Sequence, residues 1–142
     1  MTTLFADTSA LYALADGDDR HHHEALSALG TSVGTTPVVI TDHVVVESWL
    51  LISSRLGRKA AMKFWDGLAT DVFTIVGVTA KDLRRGREIA QEWPDQSFSI
   101  VDCTSFALIE RLDIRRACAF DVHFRIFRLG PRRNRALQLV PH

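Results

Sequence analysis

The chain holds only two cysteines, Cys103 and Cys118, and both lie inside apolar runs. That argues against a disulfide-stapled scaffold or a thiolate-rich zinc site and fits buried free thiols in a reducing cytosol. The N-terminus lacks a basic segment followed by an apolar one, and no apolar run reaches membrane-spanning length. A cytoplasmic protein without a membrane anchor is therefore expected. Internal repeats and low-complexity segments are missing too, which sets aside solenoids and disordered arrays. Net charge is also absent, because 17 Lys and Arg balance 17 Asp and Glu.

What remains is an ordinary globular composition, 46% hydrophobic and 24% charged over 142 residues, enough to bury a core within one domain spanning residues 1–142. The neutral total conceals a segregation of sign. Asp7, Asp16, Asp18, Asp19, Glu24, Asp42 and Glu47 face Arg20 alone in the first fifty residues. In the tail, Arg111, Arg115, Arg116, Arg125, Arg128, Arg132, Arg133 and Arg135 outnumber Asp113 and Asp121. An acidic pocket beside a basic rim suits a polyanionic substrate that meets metal ions at one point, and a solvated basic surface accounts for the same pattern.

Hydrophobic patterning predicts strands alternating with helices. Strands are expected at Thr3–Ala6, Val38–Ile40, Val72–Val78, Arg116–Phe120 and Leu137–Val140, the third buried on both faces. Helices are expected over Ala10–Ala15 behind a Thr8 or Ser9 cap, Arg20–Leu29, from Thr41 or Asp42 to about Arg55, Lys59–Ala69, from Thr79 to Trp93, and from Ser97 or Ser99 to Leu112. Gly30–Thr36 reads as a connecting stretch. The alternation implies an α/β fold, a three-layer α/β/α sandwich around a central parallel sheet. In such sheets the site lies at the carboxyl ends of the strands, where Asp7 and Asp121 fall.

Four acids, Asp7, Glu47, Asp102 and Asp121, each interrupt an apolar run that contains no Lys or Arg. An ionised carboxylate taken out of water without a partner costs several kcal/mol, so such groups are expected to be paired or metal-bound. Singly, each has a local explanation: Asp7 as a cap, Asp121 in a turn, Glu47 or Asp102 bonded to backbone. Together they make an all-oxygen ligand set that favours Mg2+ or Mn2+ over Zn2+. Acids holding one or two such ions can activate water and stabilise phosphoryl charge, the chemistry of phosphodiester hydrolysis. Thr8 and Ser9 add hydroxyls that serve either a ligand or a cap. The run His21-His22-His23 cannot form one tetrahedral set, since consecutive helical residues point apart, and it reads as a solvated helix start.

Asp7-Thr8-Ser9 after a short strand, Glu47 in a Val-rich helix, Ser99-Ile100-Val101-Asp102-Cys103 and Ala119-Phe120-Asp121-Val122-His123-Phe124 together resemble the PIN-domain ribonucleases, and most of all the VapC-type toxins. The resemblance covers nearly the whole chain. It implies that Asp7, Glu47, Asp102 and Asp121 are the catalytic, metal-binding quartet. Asp95 matches a position that is frequently acidic and takes a supporting role, or else caps the following helix. His123 stands where members often carry a further acid; it positions water or phosphate, or it is a packed surface histidine. The resemblance further implies Mg2+- or Mn2+-dependent endoribonuclease activity on RNA, a cognate antitoxin that occludes the site, and a homodimer. The apolar positions Leu11, Tyr12 and Leu14, and Trp49, Leu50, Ile52, Met62, Phe64 and Trp65, offer grooves for such partners or belong to the core.

Competing readings have weaker support. An aspartate-nucleophile phosphatase needs a second Asp two residues after the first, where this chain has Ser9, and a receiver domain needs an acid pair at the first strand. A PIN-like protein- or RNA-binding module with a dead site would have lost acids that are all present. A housekeeping RNA-processing PIN nuclease remains the nearest rival, although its members tend to carry extra domains.

Overall fold

The computed structural model describes residues 3–32, 37–69 and 72–141, with the side chains of residues 31 and 32 left aside. In chain order the elements are β1 (Leu4–Ala6), α1 (Thr8–Ala15), α2 (His22–Ser32), β2 (Val38–Thr41), α3 (Asp42–Leu56), α4 (Arg58–Leu68) and β3 (Thr74–Val76). They continue with α5 (Ala80–Glu92), α6 (Ile100–Arg111), β4 (Arg116–Cys118), α7 (Val122–Ile126), β5 (Arg128–Leu129), β6 (Arg135–Ala136) and β7 (Gln138–Val140). Five strands form one sheet in the order β3-β2-β1-β4-β7, every neighbouring pair parallel, with helices flanking it. The expected α/β sandwich is the fold. Among the described residues no helix is long and apolar enough to cross a membrane.

Several expectations change. Of the expected strand Val72–Val78 only Thr74–Val76 forms one, at the edge of the sheet and with Ile75 46% exposed, not buried on both faces. Its β-branched residues raise strand propensity without requiring burial. Helix α2 runs to Ser32, into the expected connecting stretch, whose residues 33–36 lie outside the described ones. The cap of α1 is Asp7, which accepts from the Ser9 amide, rather than Thr8 or Ser9. Helix α7 and the antiparallel pair β5-β6 add to the expected elements, being too short to carry a periodic signal.

The core is aromatic where it carries the site. Phe106 of α6 stacks on Phe127 at 4.0 Å, leans on Phe124 of α7 at 4.9 Å, and Phe124 faces Phe5 of β1 at 6.2 Å. All four rings are fully buried, and truncating one such ring typically costs about 3–5 kcal/mol. They lock α6 and α7 against β1. On its other side α6 packs closely on α5: a Cβ at Gly86 would meet the Cys103 carbonyl group at 3.3 Å. Arg85 then clasps the two helices, bonding Glu92 on α5 and both oxygens of Glu110 on α6.

Of the apolar helix positions, Leu11, Tyr12 and Ile52 are buried, whereas Leu50 and Trp65 are exposed at 58% and 56%. The first set is core. The second lies on α3 and α4 and faces solvent.

Candidate active site

Three of the four acids sit at helix N-termini above the carboxyl ends of neighbouring strands. The Asp7 amide donates to the Cys118 carbonyl at 3.1 Å, extending the β1–β4 register by one residue beyond Ala6 and Cys118. Asp7 caps α1, and Asp121 caps α7 by accepting from the His123 amide at 2.8 Å. Asp102 is the third residue of α6 and closes a capping box with Ser99: each residue's backbone amide donates to the other's side chain at 3.0 Å. Asp7 is thus the cap and Asp102 the backbone-bonded group that their local readings expect, whereas Asp121, expected in a turn, caps a helix instead. Partial positive charge at a helix N-terminus also makes each position tolerant of a carboxylate.

The His123 imidazole ties two of them together. Its Nδ1 lies 2.8 Å from Asp102 Oδ2 and 3.5 Å from Asp121 Oδ1, and Phe98 meets the ring edge-on. Asp102, Asp121 and His123 each bring one ligand atom into a group whose members lie within 4.8 Å of one another. No hydrogen bond among the described residues reaches Asp102 Oδ1 or Asp121 Oδ2, so each carboxylate keeps an oxygen for a ligand. His123 is therefore part of the cluster rather than a packed surface histidine.

Asp7 lies outside that set but within its field. Burial first, and then the Asp102 charge, push its carboxyl up to about 7. Among the described residues no Lys or Arg pairs with Asp7, Glu47, Asp102 or Asp121. Two buried carboxylates, Asp7 and Asp102, thus repel each other with no Lys or Arg among the described residues paired to either, which is the situation a divalent ion relieves. The Thr8 hydroxyl, buried and without a hydrogen-bond partner among the described residues, adds a polar atom beside Asp7. The residues present fit a hard, oxygen-preferring cation.

Glu47 is half-buried and makes no hydrogen bond or ion pair with the described residues. It is one turn beyond His43 on α3, and His43 Nδ1 lies 3.2 Å from Thr104 Oγ1 on α6. That shared face turns Glu47 toward the helix of Asp102 without placing it in the close group.

The supporting residues separate. Ser9 is a brace: its hydroxyl donates to Asp7 Oδ2 at 3.0 Å and accepts from the Phe120 amide at 2.9 Å, so it is not free for phosphate. Asp95 is exposed in the turn after α5 and is not a member of the close group, and the cap of α6 is Ser99. The two thiols stay protonated, burial pushing Cys103 up to about 11 and Cys118 up to about 12.

The histidine run also departs from a solvated helix start. His21 stacks face to face on Phe120 at 4.3 Å and 3°, and His22 Nδ1 meets the Ala13 carbonyl at 2.8 Å. Sequence alone had no signal for the first contact except that Phe120 adjoins Asp121.

The chain matches the PIN domain family over residues 4–128. It is 36% identical over 126 residues to the 23S rRNA-specific endonuclease VapC20 of Mycobacterium tuberculosis, covering 85% of this chain and 91% of that protein. It is 25% identical over 118 residues to Ribonuclease VapC26 of the same organism, covering 83% and 86%. The crystal structure of M. tuberculosis VapC20, a Sarcin-Ricin loop cleaving toxin, superposes with a TM-score of 0.77 at 31% identity, over 84% of this chain and 90% of that one. VapBC2 from Rickettsia felis, bound to a DNA fragment from its promoter, shares the fold with a TM-score of 0.70 at 12% identity and 97% coverage of both chains.

Proposed function

The chain belongs to the PIN-domain family, and from that premise we propose that it is a divalent-metal-dependent endoribonuclease, the toxin of a toxin–antitoxin pair. The observation that carries this reading is the meeting of Asp102, Asp121 and His123 beside the buried Asp7, with no Lys or Arg among the described residues paired to these acids. The VapC20 and VapC26 relatives, nucleases by name, support it over most of both chains.

In this reading Asp7, Glu47, Asp102 and Asp121 are the catalytic acids, and Asp102 and Asp121 hold Mg2+ or Mn2+. When bound, such an ion supplies Lewis-acid polarisation of the phosphoryl group and lowers the pKa of a water. Asp102 Oδ2 is held by its capping box and by His123, which leaves Oδ1 as the oxygen that would hold the ion. Asp121 is fixed in the same way by the His123 amide. Thr8 supplies a hydroxyl to phosphate or water, and Glu47 adds negative charge from α3. His123 acts through Asp102 as a positioning residue.

The antitoxin partner is proposed from the VapBC likeness, and a homodimer from the exposed Val46, Leu50 and Trp65 on α3 and α4. The cytoplasm is the compartment in which such a toxin meets RNA. The test is incubation of total RNA and intact ribosomes with the purified protein, with Mg2+ or Mn2+, beside EDTA and Asp7→Asn controls, followed by mapping of fragment ends. Discrete cuts lost in both controls support the reading. A folded, antitoxin-free protein that cuts nothing overturns it; 23S rRNA is the first substrate to examine.

A further inference from the structure

We propose that the cleft beside β7, between the start of α2 and α7, is a nucleotide subsite that binds the RNA next to the scissile phosphate. This rests on the nuclease reading above and adds residues that reading does not use. The cleft encloses about 680 Å3 and is lined by Arg20, His21, Glu24, Phe120, Arg125 and Gln138, with apolar backing from Leu137 and Leu139.

Its wall is built rather than incidental. Arg20 Nε donates to His21 Nε2 at 3.1 Å, and His21 Nδ1 lies 3.4 Å from Glu24 Oε1. With one nitrogen accepting and the other donating, the ring plane is fixed parallel to Phe120. The result is a stacked His21–Phe120 ring pair in a cleft that Arg20 and Arg125 also line. Sequence-tolerant recognition of single-stranded RNA uses this combination, stacking for the base and Arg for the backbone.

Position argues for the same use. Phe120 immediately precedes Asp121, and the Phe120 amide is tied through the Ser9 hydroxyl to Asp7. Arg125 lies one turn beyond Asp121 on α7. A strand whose phosphate meets the acids therefore has a neighbouring nucleotide at the ring pair. Flanking guanidinium groups also offset the repulsion that the acidic centre exerts on a polyanion. Glu24 is unsuited to phosphate but suited to a base, because its carboxylate can accept from an exocyclic amino group. A lining that combines two guanidinium groups, an aromatic pair and a carboxylate favours RNA over a peptide as occupant.

The test uses the metal-loaded enzyme and a short labelled RNA carrying one mapped cut. Arg20→Gln combined with Arg125→Gln is expected to raise KM roughly tenfold, with kcat within about twofold. The slope of log KM against log salt becomes shallower by about 0.7 for each phosphate no longer neutralised. His21→Ala raises KM roughly five- to tenfold by loss of stacking, and His21→Phe, which keeps a ring, restores it. An Arg132→Gln variant, on the β5-β6 connection, leaves both values unchanged. Unaltered KM and salt slope in the double variant, while the wild type cuts, overturn the subsite and leave the nuclease reading standing. Retained RNA affinity with loss of a protein partner overturns it in favour of a protein-docking surface. Should the wild type cut no RNA, crosslinking of thiouridine-substituted RNA decides: crosslinks mapped to residues 20–24 and 119–125 support the subsite, and their absence overturns it.

Discussion

His123 binds two acids of the cluster through different atoms: its Nδ1 lies 2.8 Å from Asp102 Oδ2, and its backbone amide donates to Asp121 Oδ1 at 2.8 Å. One residue thereby sets the distance between a carboxylate on α6 and another at the start of α7. Replacing it with Ala is expected to weaken Mn2+ affinity by about 10- to 100-fold, as loss of an orienting partner commonly does. Calorimetric titration with Mn2+ checks this, and unchanged affinity would remove His123 from the positioning role.

Asp102→Asn and Asp7→Asn are each expected to reduce RNA cleavage by at least about 100-fold while the protein stays folded. Without metal, Asp7→Asn melts at a higher temperature than the wild type, because the carboxylate that burial and Asp102 disfavour is gone. Cleavage assays and thermal melts in EDTA test the two halves separately. Full activity in either variant would refute the assignment of these acids.

The raised Asp7 carboxyl also sets a pH dependence for the metal-free protein. Its folded pKa, about 7, lies above the ordinary 3.8, so between those values the native state holds a proton that the unfolded state has released. Stability from this group is present below about pH 4 and is lost as pH rises toward 7, with a limiting slope of about 1.4 kcal/mol per pH unit. Denaturant midpoints in EDTA from pH 4.5 to 7.5, wild type against Asp7→Asn, measure it. Parallel curves for the two proteins would contradict it.

Arg111 makes a bidentate contact with the buried Asp82 at 2.9 Å, well away from the acids. Removing it as Arg111→Ala strands that carboxylate, and the expected loss is about 1–3 kcal/mol with kcat unchanged. Chemical denaturation alongside cleavage kinetics separates the effects. A large fall in kcat at retained stability would show that α5 and α6 control the site more directly.

The sequence carried the placement of the acids, because charge inside an apolar run is a local and costly feature. It also carried the alternation of strands and helices that made a parallel sheet legible. Thr79 was readable as a helix start for the same reason, and Ser99 as one of two candidates beside Ser97, since caps depend on residues three apart. Burial of Val72–Val78 was not readable: an edge strand and a central one share composition and differ only in what packs against them. Nor were α7 and β5-β6, whose few residues leave no period to detect.

By itself the sequence determined which side chains are available for chemistry and the strand ends on which Asp7 and Asp121 stand. Tertiary structure alone decided which of them meet. Asp102, Asp121 and His123 converge because buried rings fix α6 and α7 on β1, while Glu47 on α3 stays outside the close group. His21 and Phe120 stack although nearly a hundred residues separate them. Contacts of that range depend on sheet order and helix packing, which no local pattern of residues encodes.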